Sequence, residues 1–127
     1  MLNAKCRIGD DALSYNAIVE KSFDFAVRIV NLAKHLRNGQ KEYTLSKQIL
    51  RCGTSIGANI AEAQRGQSAA DFAAKMAISL KEANETQYWL RLLYRTEYIG
   101  EKAYKSLSKD LDEILCLLTA ICKTATK

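Results

Sequence analysis

The chain has no proline in 127 residues and only six glycines, so the residues that most reliably interrupt a helix are almost missing. It has one histidine, His35, and Leu32 rather than a carboxylate stands at the third position before it. That scarcity removes histidine-rich zinc sites, most Ser-His-Asp and Cys-His arrangements, and the paired Glu-x-x-His iron sites of ferritin-like bundles. Placed at the end of a helical pattern, His35 reads as a C-terminal dipole partner or a solvated side chain. No run reaches the roughly 18 apolar residues of a membrane span, and no apolar core of signal-peptide length follows the N-terminus. The four cysteines, Cys6, Cys52, Cys116 and Cys122, form no C-x-x-C pair. Free thiols in a reducing cytosol are therefore expected, and with them a cytoplasmic location. A phosphate loop is missing too, because Gly53 and Gly57 are not followed by Gly-Lys-Ser/Thr. Charge of one sign is only mildly in excess: 19 Lys and Arg against 14 Asp and Glu give +5, which favours acidic partners without any block concentrating it.

What is present is amphipathic helix. With 48% hydrophobic and 26% charged residues, the chain suits one globular domain able to bury a core without metals or disulfides. Residues 1–14 lack a sustained period and read as an N-terminal arm, and the remainder, 15–127, reads as helices over about 16–37, 45–65, 69–96 and 101–123. Ser14 or Asn16 is the expected cap of the first helix, and Asn38-Gly39 its stop. Thr44 is the expected cap of the second, and Ser68-x-x-Asp71 has the form of a capping box for the third. Tyr98-Ile99-Gly100 turns the chain into the fourth, where Tyr104, Leu107, Leu111, Ile114, Leu118 and Ile121 recur in steps of three and four. Short links force neighbours antiparallel, so the expected fold is an all-α, up-down-up-down four-helix bundle.

The second helix separates into three strips. Ile49, Cys52, Ile56 and Ile60 form an apolar one; Gly53, Gly57 and Ala61 a nearly side-chain-free one; Gln48, Ser55, Asn59 and Glu62 a polar one. Each glycine weakens a helix interior by roughly 1 kcal/mol relative to alanine, which close approach of another backbone, within the bundle or across subunits, would offset. The polar strip reads as a buried hydrogen-bond network fixing helix register, with a ligand-binding stripe as the alternative.

The first helix carries more apolar surface than one bundle needs. Val19, Phe23, Ala26 and Val30 make one seam, and Phe25, Ile29, Leu32 and Leu36 a second. One serves the core and the other a partner, and Phe25, Ile29 and Leu32 are taken as the partner side. On the third helix, Phe72, Met76, Leu80, Ala83 and Leu90 mark the core, while Ile78, Trp89 and Leu92 lie roughly opposite and join the candidate interface. Glu82 and Glu85 share a face, as acid/base or divalent-metal chemistry would require, or simply form an ordinary acidic surface. Lys41, Lys47, Arg51 and Arg65 lie on or near one edge of the second helix and are candidate phosphate contacts, or else a solvated, salt-bridged face.

Several of these residues occur in combination in one bacterial family. Leu45-Ser-Lys-Gln-Ile-Leu-Arg51, Thr54-Ser55-Ile56-Gly-Ala-Asn59-Ile60-Ala61-Glu62, Asp71-Phe72 and Ser79-Leu80-Lys-Glu82, with Lys21-Ser-Phe23-x-Phe25-Ala26 and Tyr98-Ile99, resemble the four-helix-bundle family named for reading frames inside intervening sequences of large-subunit ribosomal RNA genes. The resemblance covers roughly residues 16–122. Ala63 departs from a glycine that often follows the glutamate, and Ala83-Asn84 replaces a frequent Glu-Leu type continuation. What the resemblance implies is an up-and-down bundle that assembles as a homopentamer, with a biochemical role largely undefined. It also implies kinship with the accessory protein of diversity-generating retroelements, which binds a reverse transcriptase and nucleic acid. The functional expectation is a homo-oligomeric scaffold, not an enzyme and without cofactor or membrane, whose partners are itself and RNA or a nucleic-acid-processing protein. The alternative is a protein-binding adaptor with no nucleic-acid role.

Overall fold

The computed structural model describes residues 11–125, with side chains from residue 15 onward. The described residues form four helices and no strand: α1 (Asp11–Lys34), α2 (Leu45–Ala63), α3 (Ala69–Arg95) and α4 (Glu101–Ala125), with a π-helical turn, His35–Gly39, continuing α1. Each helix packs on its sequence neighbours, and α1 also packs on α4, closing the ring of an all-α bundle. The core is a stack of aliphatic residues from all four helices, including Phe25 and Ile29 of α1, Ile49 and Ile56 of α2, Met76 and Leu90 of α3, and Leu111 and Ile114 of α4. Aromatic pairs lie near both ends. Tyr15 of α1 meets Phe72 of α3 with centroids 5.6 Å apart, and Tyr94 of α3 stacks on Tyr104 of α4 at 4.4 Å.

The helix ends depart from the expected punctuation in informative ways. α1 is already helical at Asp11, so Ser14 and Asn16 lie inside the helix rather than at its cap; the rest of the expected arm, residues 1–10, lies outside the described residues. Gly39 does not stop α1. The helix runs through it in π form, and the left-handed residue that ends it is Lys41 at φ 56°. Thr44 makes no side-chain cap; the Glu42 carboxylate accepts from the Ser46 amide at 2.8 Å instead, since a longer acidic side chain reaches the helix's open N–H groups from before the turn. Ser68 does cap α3, its hydroxyl accepting from the Asp71 amide at 3.1 Å.

At the end of α3, the Glu97 amide donates to the Tyr94 carbonyl and the Tyr98 amide to the Leu93 carbonyl. This is a Schellman closure with Glu97 in the left-handed position at φ 68°. Gly100, three residues on, does not occupy a left-handed conformation.

Cys52 is a buried free thiol. Cys116, on a half-buried flank of α4 outside the packed layers that enclose Cys52, is disulfide-bonded, so the expectation of free thiols fails there. No described helix is long and apolar enough to cross a membrane.

Candidate functional site

Helix α2 is the organising element because its three strips meet three environments. The apolar strip fills the core, with Ile49, Cys52, Ile56 and Ile60 all essentially inaccessible. The glycines meet α1: a Cβ on Gly53 would stand 2.8 Å from a terminal carbon of Ile29, and one on Gly57 3.3 Å from the backbone oxygen of Ser22. The small strip is thus a helix-packing surface within one subunit. Ala61 does not belong to it, being exposed. Two turns beyond Gly53 the helix has rotated by ~80°, which carries position 61 off the contact line and brings Ile60 onto it.

The polar strip lies on the opposite flank, above the α2–α3 groove, and does not form the inter-helix network expected of it. Ser55 donates to the Arg51 carbonyl at 2.7 Å and Asn59 to the Ser55 carbonyl at 2.8 Å, each bond closing within its own helix. Glu62 is exposed and pairs with Lys75 of α3 at 3.1 Å, while Gln48 is half-buried. Hydroxyls and amides at helix positions satisfy themselves on the preceding turn when the facing helix offers no acceptor in reach. A buried cross-helix polar bond comes from α3: the Ser79 hydroxyl donates to the Ile56 carbonyl at 2.8 Å.

Four residues singled out separately converge in that groove. The Arg51 guanidinium bonds Glu82 at 3.1 Å and also bonds Glu85, and the indole of Trp89 donates to the same Glu85 carboxylate at 3.0 Å. The two glutamates therefore serve as anchors for a cation rather than as an unpaired acid/base couple. Arg51 is correspondingly a poor phosphate contact, its charge already offset. Trp89 is half-buried, packed on the core and edge-on to Tyr88, so it is part of the bundle more than an open interface. Leu92 is likewise half-buried, whereas Ile78 is 43% exposed.

The largest correction concerns α1. Phe25, Ile29 and Leu32, taken as the partner seam, are buried in the core, and the other seam faces out: Phe23 is 68% exposed and Val30 36%. Val27, which the seam pattern missed although it stands one turn after Phe23, is 47% exposed. The reason lies on the flanks of the inward seam. On one side Lys21 reaches Glu113 of α4 at 2.9 Å, and Arg28 reaches Asp110 at 2.5 Å and the Ser106 hydroxyl at 2.8 Å. On the other, Ile29 and Ser22 fit against Gly53 and Gly57. Turning the helix over would press a phenylalanine ring onto the glycines and strand both cations.

By helical phase, the exposed seam of α1 continues onto the outer side of α2 through half-buried Leu50 and exposed Ala58 and Ala61. Lys47 and Arg65, both exposed, stand at its edge, and Lys41 is exposed on the turn that leads into α2. Among the described residues no three His, Cys, Asp or Glu side chains are grouped as metal ligands.

The profile of the family described as 23S rRNA-intervening sequence protein matches residues 15–120, nearly the whole bundle. The chain belongs to that family. A crystal structure of a protein of unknown function from the S23 ribosomal protein family of Bacteroides thetaiotaomicron superposes with a TM-score of 0.85 at 60% sequence identity, covering 87% of this chain and 98% of that one. No curated protein matches the chain. Family membership thus agrees with the resemblance carried by the α2 and α3 motifs, and nothing in these relatives' descriptions points to catalysis.

Proposed function

We propose that this protein is a non-enzymatic scaffold subunit that associates with copies of itself through the outer α1–α2 face and, once assembled, binds RNA or a ribonucleoprotein. The observation that carries the reading is the line of Phe23, Val27 and Val30 along one side of α1, exposed despite being apolar. A contiguous apolar stripe continued by small residues on a neighbouring helix is the surface a monomer would not keep open. A closed ring of five, as the family resemblance implies, would cover it by symmetry. Assembly would multiply the +5 of a single chain into a field strong enough to attract a polyanion. Lys41, Lys47 and Arg65, exposed along the edge of that face, supply the phosphate contacts. The ribosomal RNA in the family's description supports RNA as the polyanion.

Light scattering coupled to chromatography, with nucleic-acid absorbance followed on the same peak, tests both halves. The wild-type chain is expected to elute as a defined oligomer, and a Phe23→Glu, Val27→Glu double variant as a folded monomer. Replacing Lys41, Lys47 and Arg65 with alanine is expected to leave assembly intact, weaken RNA binding about 10-fold at low salt and lower the salt slope by roughly one per lost phosphate contact. A wild-type monomer at high concentration would end the self-association reading. An oligomer indifferent to RNA at low ionic strength would leave the adaptor alternative, in which a different protein covers the same face.

A further inference from the structure

A cleft of about 390 Å³ opens between the last turns of α1, the α3–α4 turn and the start of α4. That size lies within the range of about 300–1,000 Å³ of small-molecule sites. Two polar tethers flank it. At one end Arg28 holds Ser106 and Asp110. At the other the Gln40 amide donates to the Tyr98 carbonyl at 2.7 Å and contacts the His35 ring at 3.1 Å, tying the π-helical turn to the α3–α4 turn. The cleft is therefore preformed. π-helical insertions are rare and concentrate at functional sites, and this one carries His35 into the lining.

The lining has a consistent chemistry. Leu32, Ile99 and Leu107, each almost fully buried, make an apolar floor, and Arg28, Asn31, His35 and Tyr98 supply the remaining side-chain character. Imidazole, phenol and guanidinium planes are the groups on which an unstacked base rests, and a side-chain amide offers the adjacent donor and acceptor that match a base edge. Arg28 is already neutralised by Asp110, so the cleft favours a flat, uncharged, hydrogen-bonding ring over a simple anion.

Gly100 offers a steric test of the cleft. Its backbone is not left-handed, the α3–α4 turn is closed by Glu97, and a Cβ at position 100 would meet nothing within 4 Å. Its carbonyl accepts from the Tyr104 amide, which makes it the N-cap residue of α4, a position that glycine suits. A side chain at that position would occupy open space beside the cleft it lines.

We infer that this cleft binds a nucleobase, presented by a free nucleotide or by an unpaired nucleotide of RNA. The inference stands apart from self-association, since none of the lining residues belongs to the α1–α2 face. Calorimetry or ligand-observed NMR on the full chain, using AMP, UMP, ribose 5-phosphate and a short single-stranded RNA, tests it. Saturable binding of a mononucleotide or of the RNA, with ribose 5-phosphate at least 10-fold weaker, is expected. Gly100→Leu and, separately, Asn31→Ala should each weaken that binding at least 10-fold, with thermal unfolding confirming that both variants fold. Binding by mononucleotides identifies a free ligand as the source, and binding by RNA alone identifies an unpaired base. Ribose 5-phosphate binding as well as AMP would overturn base recognition. RNA binding untouched by both cleft variants but lost with Lys41, Lys47 and Arg65 would overturn the cleft while leaving the surface reading intact. No binding by any probe overturns it as well.

Discussion

At the scale of single residues, the bundle is most sensitive where α1 and α2 come closest. Alanine at an interior helix glycine ordinarily gains about 1 kcal/mol of helix propensity. At Gly53 that gain meets a β-branched side chain at 2.8 Å, which has few rotamers into which it can retreat. Gly53→Ala is therefore expected to destabilise the fold by about 1–3 kcal/mol in urea titration, the range for an overpacked core. Gly57→Ala, facing a backbone oxygen at 3.3 Å, should fall closer to neutral. Cys52 adds a pH dependence. Burial pushes its thiol above the ordinary range, so the unfolded chain ionises first and protonation favours the fold. That contribution is complete below the ordinary thiol range of about 8.5 and is lost progressively as pH rises through and above it. Cys122 and Tyr15, also raised by burial, act in the same direction. The stability of Cys52→Ala should accordingly fall less steeply than wild type across that interval when urea midpoints are compared.

At the scale of elements, the helices were legible in the sequence and their ends were not. The 3.6-residue recurrence of apolar side chains located all four helices, because core burial enforces it over many turns. Glycine marked the link between α3 and α4 but not the end of α1. The left-handed turns fall on Lys41 and Glu97, while Gly39 is helical and Gly100 is not left-handed. Tertiary contacts, such as the Gln40 amide reaching Tyr98, fix those turns, and no local pattern announces them. Placing a residue that carries a Cβ in the left-handed region costs roughly 1–2 kcal/mol, so Glu97→Gly is expected to raise stability by about 1 kcal/mol. A rise in melting temperature measures it, and an unchanged value would mean that Glu97 offsets its strain elsewhere. The choice between the two seams of α1 was illegible for a related reason. Both are apolar and properly spaced, and only the glycines of α2 and the carboxylates of α4 decide between them. The convergence of Arg51, Glu82, Glu85 and Trp89 was illegible in the same way, because helical period relates residues along one helix and not across two.

At the scale of the whole molecule, an assembled subunit should not have a single intrinsic stability. If the exposed seam of Phe23, Val27 and Val30 is covered by another copy, unfolding is coupled to dissociation. The melting temperature is then expected to rise with protein concentration over two decades, and the Phe23→Glu, Val27→Glu variant to lose that dependence while keeping its helical circular dichroism. A concentration-independent wild type would argue that the seam stays open or takes a different partner.

The cluster above the α2–α3 groove has a practical consequence. Trp89 is the only tryptophan in the chain, half-buried, with its indole N–H on the carboxylate that also holds Arg51 of the neighbouring helix. Its emission is expected to shift when α2 and α3 separate, because separation removes Arg51 from the shared carboxylate and opens the ring to water. The protein thus carries an intrinsic optical gauge of one particular helix pair, readable without labels and distinct from both the apolar face and the cleft.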